Sequence, residues 1–154
     1  MTDRGLNYEA EAFQFVGELD QLSSTQEVID AMERSFALFG FENFIMTGLP
    51  HPDQRIEGLV LLKKWPVEWY QRYTSKGYDR HDPVIRLCRQ TVQPFEWAEA
   101  PYDSDTNPRA LEVMRGAMEF GMRDGYCLPI HGLNGYEACQ SMSGQHLDLT
   151  PRTK

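Results

Sequence analysis

The stretch from Trp65 to Trp97, WPVEWYQRYTSKGYDRHDPVIRLCRQTVQPFEW, holds all three tryptophans of the chain, three of its tyrosines and its only Asp-Pro step. Buried indole and phenol rings supply large apolar surfaces, and each carries one polar tip that needs a partner. This is more aromatic surface than a small core needs at one place. The stretch is therefore the candidate working part, and the rest of the chain is its scaffold. At 154 residues there is one domain's worth of sequence, enough to bury a core and a small internal cavity.

Upstream, Phe13, Val16 and Leu19 recur at helical spacing between Glu9 and Gln21, with acidic residues interspersed, which predicts an amphipathic helix. Ser24 with Glu27 three residues later matches a capping box. Val28, Met32 and Phe36 then line one face of a second helix until Gly40 stops it. Phe41 to Leu49 and Ile56 to Leu62, separated by the turn residues Pro50, His51 and Pro52, read as two antiparallel strands.

From Pro66 the period becomes helical, with Trp69 and Tyr73 one turn apart on the same face. Gly77 ends that helix, and Asp82-Pro83 opens a short one through about Arg89. Val92 to Trp97 reads as a third strand and Ala98 to Thr106 as a polar loop. Asn107-Pro108 starts a helix whose face is Leu111, Met114 and Met118, ending at Gly121. The Gly-rich closing segment predicts a hairpin around Asn134-Gly135, and LDLTPRTK reads as a linker. Together these elements make an α+β fold, helices flanking a mostly antiparallel sheet, with room for a ligand cavity between sheet and helices.

Charge and composition exclude several functions. The formal net charge of −8 repels phosphate backbones, so nucleic-acid binding by this chain alone is not expected. Cys88, Cys127 and Cys139 form an odd set without CxxC spacing, which reads as buried thiols in a reducing cytosol. The histidines His51, His81, His131 and His146 are scattered, and no metal site is expected. No apolar run approaches a membrane span and no signal peptide is evident, so the expected location is cytoplasmic. A nucleophile beside a base, a GxSxG elbow and a phosphate-cradling Gly loop are all missing; no enzymatic activity and no cofactor are expected.

Two readings compete at each aromatic or acidic position. Asp82 before Pro83 is a ready helix cap, but a carboxylate turned into a pocket would accept a ligand N–H, and its burial is costly without such donors. Trp69 and Tyr73 can pack the helix on the sheet, or present their polar tips to a pocket. Trp65, Phe95 and Trp97 can each be core, and position does not decide.

In order and spacing, Trp69-x3-Tyr73, Asp82-Pro83, Trp97, Gly121-x3-Gly125-x3-Pro129-x2-Gly132 and Ser141 resemble the autoinducer-binding domain of LuxR-type quorum-sensing transcription factors. The resemblance covers nearly the whole chain. It implies an α-β-α sandwich around an N-acyl-homoserine lactone, within a homodimer. By motif position Trp69 would donate to the lactone carbonyl and Asp82 would accept from the ligand amide. Tyr73 would line the acyl side and bond the acyl carbonyl, Trp97 would pack near the lactone ring, and Ser141 would face the amide or acyl carbonyl.

Trp65 departs from the pattern, because many relatives carry Tyr at that position. An indole can donate but not accept, so the hydrogen bond of that tyrosine is not carried over. Residues 1–146 are expected to be the ligand domain and 147–154 the start of a linker to a helix-turn-helix DNA-binding domain that this chain lacks. An excised domain is the expectation, a natural truncation that silences a full-length regulator the alternative. A compact pocket walled by Met46, Tyr73, Phe95, Met114, Met118 and Tyr126 is expected. The wording of 41–49 and 98–105 resembles relatives that answer branched-chain or aryl homoserine lactones. The rival classes are a GAF- or PAS-like sensor of an unrelated metabolite and a small acyl-lactone hydrolase.

Overall fold

Ser24 caps α2 (Thr25–Ala37) through both halves of a capping box: its hydroxyl accepts the Glu27 N–H at 3.2 Å, and the Glu27 carboxylate accepts the Ser24 N–H at 3.0 Å. The helix lays Met32, Val28 and Phe36 on a sheet. In the computed structural model, which describes residues 7–147, that sheet has five antiparallel strands in the order β2-β1-β5-β4-β3. They are β1 (Asn43–Gly48), β2 (Val60–Lys64), β3 (Phe95–Glu96), β4 (Asp124–His131) and β5 (Glu137–Gly144). Strand β5, in the centre, is buried from Ala138 to Gly144 because it has neighbours on both edges and helices on both faces.

Alternation along the strands assigns side chains to two layers. Phe44 and Met142 pack with Met32, Phe41 and Phe36 in the layer under α2 and α1 (Tyr8–Leu19). Ile45, Thr47, Cys139 and Ser141 face the other layer. That layer is covered by α3 (Val67–Ser75), α4 (Pro83–Cys88) and α5 (Pro108–Glu119). The arrangement is the expected α-β-α sandwich. No helix among the described residues is long and apolar enough to cross a membrane.

Four local expectations need correction. In α1, Phe13 and Val16 are 73% and 59% exposed. The helix is instead held by Phe15 against Phe36 and Tyr8 against Phe39, with ring centroids 6.0 and 5.1 Å apart. Apolar residues lie around much of this helix, so periodicity alone does not select the packed stripe.

The segment from Ile56 is not strand throughout: Ile56–Gly58 form a single helical turn that buries Ile56, and β2 begins at Val60. A break in register between Met46 and Thr47 accompanies the offset. Strand β3 is only two residues long, and Val92 is exposed; Pro94 cannot donate to a sheet ladder, so pairing starts after it.

On α5 the buried face is Ala110, Val113, Gly116 and Ala117, while Met118 is 54% exposed. Small residues win there because α5 approaches α3 closely. A Cβ on Gly116 would sit 2.7 Å from the Trp69 ring.

The closing hairpin is centred as expected, with Asn134 and Gly135 at φ 58° and 75°, within a connection that runs from His131 to Glu137. Leu147 packs against the layer under α2. The remainder of the expected linker, residues 148–154, lies outside the described residues.

Candidate functional site

The helix α3 begins after Pro66 and buries Trp69 and Tyr73 on one face at 1% and 2% exposure. Trp65, immediately before the helix, sets its ring edge-on to Tyr73 at 5.2 Å and tilted against Trp69 at 6.2 Å. It supplies ring surface to the cavity wall. The indole nitrogen of Trp69 is buried without a hydrogen-bond partner among the described residues. A buried donor left unpaired costs about 1–3 kcal/mol.

Asp82 is the helix cap and also lines the cavity. One carboxylate oxygen caps α4 by accepting the Val84 N–H at 2.8 Å, and the other accepts the Tyr73 hydroxyl at 2.7 Å. Burial raises the Asp82 pKa to about 6, against the opposing pull of the Tyr73 and Val84 hydrogen bonds. Burial and the adjacent carboxylate push the Tyr73 phenol well up, so it stays protonated as the donor. The Tyr73 hydroxyl is thus donated to Asp82.

Opposite them, the Trp97 indole N–H donates to the Ser141 hydroxyl oxygen at 3.0 Å. This leaves the Ser141 hydrogen to be donated elsewhere. Trp97 can lie so close to β4 because residue 125 is glycine: a Cβ there would overlap its ring atoms.

These groups surround a cavity of about 40 Å³. A site for one water needs roughly 10–15 Å³ by this kind of measure, so the walls are nearly closed on each other. All six residues singled out in the sequence, Trp65, Trp69, Tyr73, Asp82, Trp97 and Ser141, line it. Ile56, Val84, Ile85 and Val113 also contribute wall, and of the expected Met and aromatic wall only Tyr73 and Met114 do so. Met46 and Tyr126 alternate away from Ile45 and Cys127 along their strands.

Thr47 and Cys139 line the cavity and were not anticipated. The alternation of β1 and β5 could have placed them, had the register between those distant segments been known. Ile45 pairs with Ser141, and Thr47 with Cys139.

The three cysteines are all buried, as expected. They also meet: the sulfurs lie within 4.8 Å of one another. The Cys127 hydrogen bond pulls the Cys88 thiol down, but the Cys139 contact and burial outweigh it and push Cys88 up; contacts with Cys139 and Cys88 and burial push Cys127 up, and contacts with Cys127 and Cys88 hold Cys139 low.

The family model that describes an autoinducer binding domain matches residues 24–154. The transcriptional activator protein BjaR1 of Bradyrhizobium diazoefficiens is 52% identical over 149 residues, covering 97% of this chain and 62% of its own length. The HTH-type quorum sensing-dependent transcriptional regulator RpaR of Rhodopseudomonas palustris is 39% identical over 93% of this chain and 58% of its own. The chain therefore spans about three fifths of these curated relatives.

Among solved structures, the N-acylhomoserine lactone dependent LuxR family transcription factor CepR2 from Burkholderia cenocepacia superposes with a TM-score of 0.74 at 19% identity, over 95% of this chain and 84% of that one. SdiA of Escherichia coli, in complex with octanoyl-rac-glycerol, superposes with 0.69 at 16% identity, over 98% of this chain and 59% of that one. At these identities the two likenesses speak to the fold.

Proposed function

The chain belongs to the autoinducer-binding domain family of LuxR-type transcription regulators, and from that premise we propose that its aromatic cavity binds an N-acyl-homoserine lactone. The observation that carries this reading is the Trp69 indole N–H, unpartnered among the described residues, in a mostly apolar cavity that the Asp82 carboxylate and the Ser141 hydroxyl also line. A homoserine lactone amide offers the complementary set: a ring carbonyl for Trp69, an amide N–H for Asp82 and an acyl carbonyl for Ser141. Trp97 and Trp65 would supply ring surface to the two ends of such a ligand. The domain is a sensor and not an enzyme.

The aromatic and branched walls favour a compact acyl group, branched-chain or aryl, over a long straight one. The ligand would stabilise the folded chain by binding only that state, adding about 2.7 kcal/mol at a hundred times Kd. Within a full-length regulator that stabilisation would favour a homodimer able to bind DNA through a further domain, joined by a linker beginning near residue 147. The switch is then a shift of population between states.

Because all three tryptophans line the cavity, intrinsic fluorescence reads binding directly. Titration with a panel of acyl-homoserine lactones is expected to saturate at one ligand per chain and to raise the melting temperature. Branched and aryl members should act at lower concentrations than long straight ones. A well-folded chain whose fluorescence and melting ignore every lactone would point to a sensor of an unrelated metabolite.

Trp69→Phe removes the indole donor and keeps an aromatic ring. The net value of a neutral hydrogen bond, about 0.5–1.5 kcal/mol, predicts a roughly two- to tenfold loss of lactone affinity. An analogue with a ring but no ring carbonyl should bind both proteins alike, as expected when the only coupling is between that N–H and that oxygen. Equal losses for the two ligands would remove Trp69 from contact with the lactone carbonyl.

A further inference from the structure

Cys88 closes α4, Cys127 lies in β4 and Cys139 in β5. Residues far apart in the chain thus bring three thiols to one buried point, with the Cys88 and Cys127 sulfurs 3.1 Å apart and all three within 4.8 Å. Any atom bonded to three sulfurs at about 2.3 Å, the length of a zinc–thiolate bond, spaces them at most about 4 Å apart. The sulfurs here bracket that spacing, so a three-sulfur centre asks for shifts of less than about 1 Å.

We propose that the Cys88, Cys127 and Cys139 cluster is a binding site for a trivalent thiophilic metalloid, of which arsenite is the simplest, held by three sulfur bonds. Soft donors select soft centres. The choice among them follows from ligand number and charge. The cluster has three donors and no fourth His, Cys or carboxylate joins it among the described residues, whereas structural zinc takes four ligands.

Three thiolates would leave one net negative charge around zinc and two around copper(I), in a site with no spare cation among the described residues. Arg89, the nearby positive charge, is already spent on the Glu137 carboxylate at 2.9 Å and the Pro50 carbonyl. Buried charge without a counter-charge is strongly disfavoured. Three sulfurs on arsenic(III) make a neutral centre, and the arsenic lone pair occupies the fourth direction.

The reaction is a condensation: As(OH)3 and three S–H groups give three As–S bonds. Three As–O bonds break, and each thiol proton leaves with a hydroxide as water. No oxidation state changes, so no oxidant is involved. Cys139, which lines the cavity, is the sulfur that a solute reaches first. The product ties α4 to β4 and β5. It thereby fixes the helix whose first turn carries the Asp82 cap, Val84 and Ile85.

The test uses the reduced chain with arsenite, read by native mass spectrometry and near-ultraviolet sulfur-to-arsenic absorption. One arsenic per chain with the loss of three hydrogens, and a raised melting temperature, is the expected result. That mass counts the bonds in the unaltered protein, so the test holds even if a variant fails to fold.

Cys88→Ser, Cys127→Ser and Cys139→Ser should each bind arsenite about a hundredfold more weakly, as expected when one of several tethered bonds is lost. Phenylarsine oxide, which needs only two thiols, should still bind each folded variant. No adduct on the unaltered chain, an arsenite affinity left unchanged by any one serine substitution, or preferential uptake of zinc would each overturn the proposal.

Discussion

Asp82→Asn is expected to weaken binding of the lactone by about ten- to a hundredfold while leaving the ligand-free chain folded. The asparagine oxygen can still cap α4 on the Val84 N–H, as Asn is a good cap residue. Its NH2 group would meet the ligand amide donor to donor, and hydrogen bonds to a charged partner are worth about 1.5–3 kcal/mol.

The same substitution should change the pH dependence of the ligand-free chain. With the folded pKa raised from 3.8 to about 6, the native state holds a proton that the unfolded chain has released. Stability therefore falls as pH rises through that window, by about 3 kcal/mol in all at 1.36 kcal/mol per unit, and Asp82 adds no further slope above it. The asparagine variant should lack this slope, which denaturant melts between pH 4 and pH 7 would measure.

Ligand binding in the unaltered protein should run the other way. A donated amide favours the carboxylate, so affinity is full above about pH 6 and declines below it. A lactone affinity that is flat across that range, or unaltered by the asparagine, would remove Asp82 from the ligand contact.

Gly125→Ala should lower stability by about 2–4 kcal/mol, combining overpacking of about 1–3 kcal/mol with partial loss of the Trp97–Ser141 hydrogen bond. For a chain of this size that is a drop in melting temperature of roughly 5–15 °C. The backbone at this position is not left-handed, so alanine is conformationally permitted and by chain entropy alone would stabilise by about 0.4–1 kcal/mol. The expected loss thus isolates the contact between the strand and the indole. Its lactone affinity should also fall, because the displaced ring moves into a cavity with little spare volume. Adding Trp97→Phe should recover part of the stability by narrowing the ring against the new methyl. A double variant no more stable than the alanine alone would locate the effect elsewhere.

Both effects have a common origin in the way the cavity is built. The Trp69 donor is unpaired among the described residues, the Asp82 carboxylate is desolvated, and the surrounding rings meet closely. These arrangements cost stability in the ligand-free fold. A ligand that supplies the missing acceptor and donor relieves them, and the free energy so released adds to its affinity.

Local chemistry in the sequence determined a good deal. The Ser24 capping box, the Asn107-Pro108 and Asp82-Pro83 helix starts, the left-handed Asn134-Gly135 turn and the pairing of Trp69 with Tyr73 one turn on depend on contacts within a few residues. They are therefore visible in the order of residue types. Six of the cavity residues were also identified there: Trp65, Trp69, Tyr73, Asp82 and Trp97 lie within the aromatic stretch, and Ser141 was added by the family resemblance.

Only the tertiary structure decided which stripe of α1 and α5 is buried, because both helices carry apolar residues on more than one side and the neighbouring layer makes the selection. It decided that Tyr73 serves Asp82, that Trp97 serves Ser141, and that Thr47 and Cys139 face the cavity. Above all it brought Cys88, Cys127 and Cys139 together. Those contacts join residues tens of positions apart, and they depend on strand register and helix placement, which are set by the packing of the whole domain.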